Sequence, residues 1–244
     1  MRIVHIAGLS GSGKTTFIRR LLPLLQEIGP VAVIKHMGHH VHALDPGKDT
    51  TVFFDAGIVA SVGIDPEKSV MVVREPSLPL VLTSVSCLGI ENTVIEGFKF
   101  LPIPKVVIGD YPGASGVILK NPSPRDVIGA LPRFAEFHTM DSVTRELAPE
   151  SRAVAAAAWT LTLQGEMREV YQQFSPIEKE IRKAAGSMPG HVRVRVRIHP
   201  GHLFGGEDTV LMAVGADSHA CAITALTVLR KHLPPALLSG QEAQ

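Results

Sequence analysis

The sequence predicts an α/β domain built on a mostly parallel sheet, followed by a smaller α+β domain. Three observations carry that reading. Apolar runs without strict alternation, such as IVHIAGLS, VAVIKH and KVVIGD, suit strands covered on both faces. In the first half these runs alternate with helix-like segments, the order expected of a parallel sheet with crossover connections. After about Phe137 the texture changes to Ala-, Glu- and Arg-rich helix formers and a strict period-two strand, VRVRVRI. We therefore divide the chain into domains at 1–137 and 150–240, with a linker at roughly residues 138–150.

Taken in order, IVHIAGLS reads as a buried strand, TTFIRRLLPLLQEIG as a helix and VAVIKH as a second strand. VMVV, NTVIEGF, KVVIGD and SGVILKN follow as short strands bounded by Gly, Pro, Asn or charge. SPRDVIGALPRFAEF reads as a helix that opens at Ser123 and Pro124. Pro23 and Pro132 lie inside helical patterns, so a kink or break is expected at each. Beyond the linker, TRELAPESRAVAAAAWTLTLQGEMREVYQQF and PIEKEIRKAAGS read as helices, TVLMAVGA as a strand and SHACAITALTVLRKHL as a final helix.

Composition narrows the function. At 244 residues, with 45% hydrophobic and 19% charged, the chain can bury a core. Lys plus Arg total 24 against 23 Asp plus Glu, so no overall field recruits nucleic acid or a membrane. Cys87 and Cys221 do not make a disulfide framework or a multi-cysteine zinc site. The opening MRIVHIAGLS has no signal-peptide h-region and cleavage site, so none is expected, and no apolar run approaches the ~20 residues that span a bilayer. A soluble cytoplasmic protein is expected.

Gly8-Leu9-Ser10-Gly11-Ser12-Gly13-Lys14-Thr15 fits the Walker A pattern, between a predicted strand and a predicted helix. Its glycines let backbone N–H groups curl around phosphate oxygens, and the helix directs its positive end at the same anion. Gly11, Ser12, Gly13, Lys14, Thr15 and Thr16 are thus candidate nucleotide-binding residues, with Lys14 reaching the β- and γ-phosphates and the Thr15 hydroxyl on Mg²⁺. Such sites place a carboxylate at a strand end, and Glu96 in NTVIEGFK supplies one. The Asn-Lys-x-Asp signature by which many GTPases read guanine is absent, although Lys120-Asn121 ends a predicted strand where a base-reading loop could sit. The loop alone does not choose between ATP and GTP.

IKHMGHHVHALDPGKDT carries His36, His39, His40 and His42 with Asp45, Lys48 and Asp49. Imidazoles this dense suit a divalent metal, or equally a loop that binds phosphate or a partner. Its start at the end of the second strand, on the ligand-carrying edge of an α/β sheet, favours the second reading. VRVRVRIH puts Arg193, Arg195 and Arg197 on one strand face: a solvated face, or a cationic surface for an anionic ligand or an acidic tail.

The order GLSGSGKTT, VIKHMGHH, DPGKDT, DAG and VIEGFK before KVVIGD resembles the molybdopterin-guanine dinucleotide biosynthesis adapter family over about residues 1–137. That resemblance implies GTP and Mg²⁺ binding, weak GTPase activity, homodimerisation and assistance to the enzyme that attaches GMP to molybdopterin. By position it assigns phosphate binding to Gly11 through Thr16 and Mg²⁺ to Thr15 and Glu96, and puts Asp45 and Asp49 near the active edge; Lys14 and Glu96 are the candidate catalytic residues, and His36 and His39 further candidates for an active or partner-binding edge. The segment IHPGHLFGGEDTVLMAVGADSHACAITALTVLRKHLPPALL is similar to the large, catalytic subunit of molybdopterin synthase. His199, Gly201, Leu203, Gly206-Glu207 and His219 keep that family's frame, and His219, Arg230 and Lys231 become candidate pterin-binding residues. Pro200 and Ala220 stand where that family has arginine, which removes charge-assisted contacts and counts against independent catalysis. The resemblance also implies the small sulfur-carrier subunit of that synthase as a partner, and molybdopterin as substrate or ligand.

Two other functions fit the same phosphate loop. A small-molecule kinase would add an acceptor pocket and a base, and would prefer ATP. A nucleotide-switched, non-catalytic scaffold would dock molybdopterin or its synthase without sulfur transfer.

Overall fold

The computed structural model describes residues 1–38, 44–74, 77–161 and 167–233. Its contacts divide into two compact units, Met1–His36 with Pro79–Gln244, and Met37–Leu78.

The first unit opens with β1 (Arg2–Ala7), α1 (Lys14–Gln26) and β2 (Val31–Lys35). The second unit contains α2 (Asp49–Asp55) and an antiparallel hairpin of β3 (Ala60–Ile64) and β4 (Ser69–Val73). VMVV is therefore a strand as expected, but of this hairpin and not of the parallel sheet. Val59, Val62, Ile64, Val70 and Met71 are exposed on it. The chain continues with α3 (Leu78–Cys87), β5 (Asn92–Glu96), β6 (Lys105–Val107), β7 (Val117–Lys120), α4 (Pro124–Gly129) and the two-residue β8 (Ala135–Glu136).

Strand order is β2-β5-β1-β6-β7, all parallel, with β8 antiparallel to the first residues of β1. Val4 and Ile6 of β1, Val94 of β5 and Val106 of β6 pack with Ile18, Leu21 and Leu25 of α1 and with Val127 of α4. The alternate positions Ile3, His5, Thr93, Ile95 and Lys105 are buried too. That two-sided burial is why these strands read as unbroken apolar runs.

Pro132 breaks the helix that begins at Ser123: α4 ends at Gly129 and a single 3₁₀ turn, Leu131–Arg133, leads into β8. Pro23 does not interrupt α1, which runs to Gln26 with Leu21 and Leu25 buried on either side of it. Pro23 sits in the last turn, where packing of this face outweighs one lost hydrogen bond.

The remainder is α5 (Met140–Leu147), β9 (Ala153–Leu161), α6 (Met167–Gly186), β10 (Arg193–His199), β11 (Asp208–Ala216) and α7 (His219–Leu229). The three strands form an antiparallel sheet in the order β10-β11-β9. Two expectations are corrected here. Residues 140–147 are no linker but a capped helix, with Thr139 accepting from the Ser142 N–H, and its Val143 and Leu147 pack on Leu211 and Ala213 of β11. The alanine run is a strand, paired over its full length with β11 from Ala153–Ala216 to Leu161–Asp208. Burial between layers overrides alanine's helix propensity: Val154 and Ala156 face the α5 side, while Ala155 and Trp159 join Ala222, Ala225 and Leu229 of α7. The valines of β10 point into that second core, as the period-two pattern predicts.

Among the described residues no helix is long and apolar enough to cross a membrane.

Candidate functional site

The site grows from the end of β1. The chain leaves Ala7 into Gly8-Leu9-Ser10-Gly11-Ser12-Gly13 and re-enters helix at Lys14. Two of the glycines are required by geometry. A Cβ on Gly8 would overlap the carbonyl oxygen of Ile108, and Gly13, which caps α1, has φ +87°. No side chain caps α1, so its first N–H groups remain directed at the loop's concavity, the arrangement that binds phosphate. Lys14 Nζ donates to the Leu9 carbonyl at 2.6 Å across this loop.

Neighbouring strands bring the remaining groups. β5 lies beside β1, so Glu96 ends level with the loop, and Thr15 Oγ1 donates to both of its carboxylate oxygens at 3.4 Å. β2 lies beyond β5 and carries Lys35 opposite Glu96, with its ammonium 3.9 Å from that carboxylate. Desolvation lowers the pKa of Lys14; Glu96 opposes this, and Lys99 and Lys35 add to it. A hydroxyl and a carboxylate converging at a glycine loop form a hard oxygen set of the kind that suits Mg²⁺. Thr15 and Glu96 thus fit that ion.

The loop after β5 is fastened from beneath. Phe98 adopts φ +45°, and its ring stacks on His36 with centroids 4.2 Å apart. His5 Nε2 donates to the Gly97 carbonyl at 2.6 Å. Lys105, fully buried, donates to the carbonyls of Leu101 at 2.7 Å and Lys99 at 3.2 Å. Desolvation lowers the pKa of both buried groups, that of His5 to about 4.

Sequence reasoning brought together Gly11 through Thr16, Lys14 and Glu96, and the structure places them at one strand edge. His36 lies at the same edge, engaged with Phe98. His39, with His40 and His42, falls outside the described residues. Asp45 and Asp49 belong to the second unit, where the Asp45 carbonyl accepts from Thr51 Oγ1 at 2.8 Å and Asp49 opens α2. Among the described residues no cluster of three or more His, Cys, Asp or Glu could hold a metal. His219 stands at the start of α7, while Arg230 and Lys231 lie past its end, roughly 16 Å away at the helical rise. Arg230 lies 5.8 Å from the centroid of the Trp159 ring. The arginine face of β10 is paired with carboxylates: Arg197 and Arg195 reach Glu146 of α5 at 2.7 and 3.5 Å, and Arg193, exposed, pairs with Glu150 at 3.6 Å. Lys35 and Lys99 received no role from the sequence, although one ends the strand beside Glu96 and the other follows Glu96 by three residues.

The model of the family described as Molybdopterin guanine dinucleotide synthesis protein B matches residues 3–128. The molybdopterin-guanine dinucleotide biosynthesis adapter protein of Haemophilus influenzae is 32% identical over 110 residues, covering 43% of this chain and 62% of that protein. A probable adapter protein of Bacillus subtilis is 37% identical over 110 residues, covering 43% and 64%. The chain thus spans somewhat under two thirds of the length of these relatives. The crystal structure of Bacillus subtilis MobB aligns at 25% identity and a TM-score of 0.43, over 55% of this chain and 99% of that one. With the family model matching more than half of its residues, the chain belongs to the Molybdopterin guanine dinucleotide synthesis protein B family.

Proposed function

We propose that this protein is a GTP-binding adapter of molybdopterin guanine dinucleotide biosynthesis, hydrolysing GTP slowly and assisting the enzyme that attaches GMP to molybdopterin. The observation that carries this reading is the meeting of the Thr15 hydroxyl and the Glu96 carboxylate beside Lys14, at the mouth of a glycine loop that opens a helix. The loop's N–H groups and the start of α1 hold the phosphates. Lys14 releases the Leu9 carbonyl and turns to the β- and γ-phosphates. Lys35 and Lys99 add positive charge at the same edge and favour the triphosphate over the diphosphate. Thr15 and Glu96 would hold Mg²⁺, which would supply positive charge that neutralises the phosphates. The cations that act on Lys14 are lysines, not an arginine aimed at the γ-phosphate, so slow intrinsic turnover is expected. Homodimerisation and the GMP-transferring partner follow from the family reading.

For the C-terminal half we propose docking of molybdopterin or its synthase rather than sulfur transfer. Gly201, Leu203 and Gly206, kept from the synthase-like frame, build a loop between β10 and β11. Gly201 accepts from the N–H groups of Phe204 and Gly206, a Cβ on Gly201 would overlap the Glu207 carbonyl, and Leu203 is buried. The candidate cations Arg230 and Lys231 are separated from His219 by the length of α7.

Calorimetric binding of GTP, GDP and ATP with Mg²⁺ to the wild type and Lys14→Ala tests the central reading. Guanine-selective binding that falls by two orders of magnitude or more in the variant is expected, about 3 kcal/mol for a charge-assisted phosphate contact. ATP preference with a phosphorylated acceptor would make the protein a kinase, and nucleotide binding indifferent to Lys14 would sink the phosphate-loop assignment.

A further inference from the structure

On the far side of β1 from Glu96, the same edge of the sheet carries a group that the proposed phosphate site leaves unused. β6 and β7 end level with the start of the glycine loop: the Ile108 N–H donates to the Ala7 carbonyl at 2.9 Å and the Asn121 N–H to the Val107 carbonyl at 2.8 Å. Gly109 lies against the loop itself, since a Cβ there would stand 2.9 Å from the Cβ of Ser12. Asn121, held at φ +49°, accepts the Gly109 N–H on Oδ1 at 2.6 Å and ties the two strand ends together. On this fixed backbone stand Asp110 and Lys120, paired at 3.0 Å with the Asp110 carboxylate 86% exposed. An exposed pair of this kind adds little to stability.

We propose that these strand ends form the base-reading part of the nucleotide site and that Asp110 selects guanine. The proposal rests on the reading of the glycine loop as a nucleotide site. The metal-binding end of that site lies on the β5 side of β1, so a nucleoside extending across the loop past Ser12 arrives at β6 and β7. Guanine presents two adjacent donors on one edge, the N1–H and the 2-amino group, and the two oxygens of one carboxylate accept both. Adenine presents an acceptor at N1, which a carboxylate repels. Lys120 holds the carboxylate in place with its ammonium and offers its alkyl stem to the face of the base. Asparagine, lysine and aspartate are the residue types of the familiar guanine signature. Here two loops supply them, which is why no single motif in the sequence announces them.

The test is calorimetry of GTP, ATP, xanthosine triphosphate and inorganic tripolyphosphate, each with Mg²⁺, on the full chain and on Asp110→Asn. An amide donates to the xanthine 2-oxo group and accepts from N1–H, so the variant should exchange its preference. We expect GTP to weaken and xanthosine triphosphate to tighten, each by about 10- to 100-fold, the discrimination a two-bond contact to a base provides. Tripolyphosphate should bind both proteins equally. A variant that still prefers GTP, or that loses GTP without gaining the xanthine nucleotide, overturns the role of Asp110 while the phosphate loop stands. A wild type that binds tripolyphosphate but prefers ATP overturns guanine selection in the same way. A wild type that binds none of the four overturns the nucleotide reading itself, and this inference with it.

Discussion

His5 and Lys105 are register partners on adjacent strands, both without exposed surface, and together they hold three carbonyls of the loop that follows Glu96. Their burial makes a pH-dependent prediction. Desolvation holds His5 near pKa 4 against an ordinary 6.5; its bond to the Gly97 carbonyl opposes that shift and the charge of Lys105 adds to it. Between those values the unfolded chain takes up a proton that the folded one refuses. The stability His5 contributes is therefore fully present above pH 6.5 and is lost as the pH falls toward 4, by about 3 kcal/mol. Thermal unfolding of the wild type and His5→Gln across that window checks this, and parallel curves would refute it. The grouping of Lys14, Thr15 and Glu96 was legible because the proposed nucleotide chemistry fixes both residue type and spacing. The clamp was not, since His5 and Lys105 act on backbone carbonyls, and that of Gly97 lies 92 residues from His5.

At the scale of elements, the parallel strands, α1 and the period-two strand could be read from patterns of burial alone. The alanine-rich segment could not, because small residues favour helix locally while the sheet they join is assembled from β11, some 50 residues on. There the small side chains are what let helices pack on both faces. Ala155, on the α6 and α7 side, is partly buried against that core. Ala155→Leu should cost about 1 to 3 kcal/mol by overpacking, read as a lower urea midpoint at unchanged slope. A helical, solvent-facing alanine would accept leucine without loss, so a neutral result would contradict the strand. The arginine face of β10 belongs to the same lesson. Its pattern showed a face, but not that Glu146 and Glu150 pair with it.

Across the whole first unit, the two halves of the sequence meet at the start of β1 and the glycine loop leaves from its end. Phe137 donates its N–H to the Met1 carbonyl at 2.8 Å, Arg2 pairs with Glu136, and the Phe137 ring packs edge-on against His199 at 4.6 Å and Phe204 at 5.6 Å. Six strand residues separate this junction from Gly8, about 20 Å. Trp159, the chain's one tryptophan, belongs to the far sheet. Saturating GTP with Mg²⁺ should therefore leave tryptophan emission unchanged, and a shift in its wavelength would mean that the two ends are coupled.

The placement of the junction and the loop at opposite ends of β1 also limits how the halves can cooperate. A small molecule held at the C-terminal sheet would have a strand's length to travel before it reached the glycine loop. What a shared chain then supplies is equal copy number and proximity, a local concentration of about millimolar. That favours recapture after release over direct hand-over.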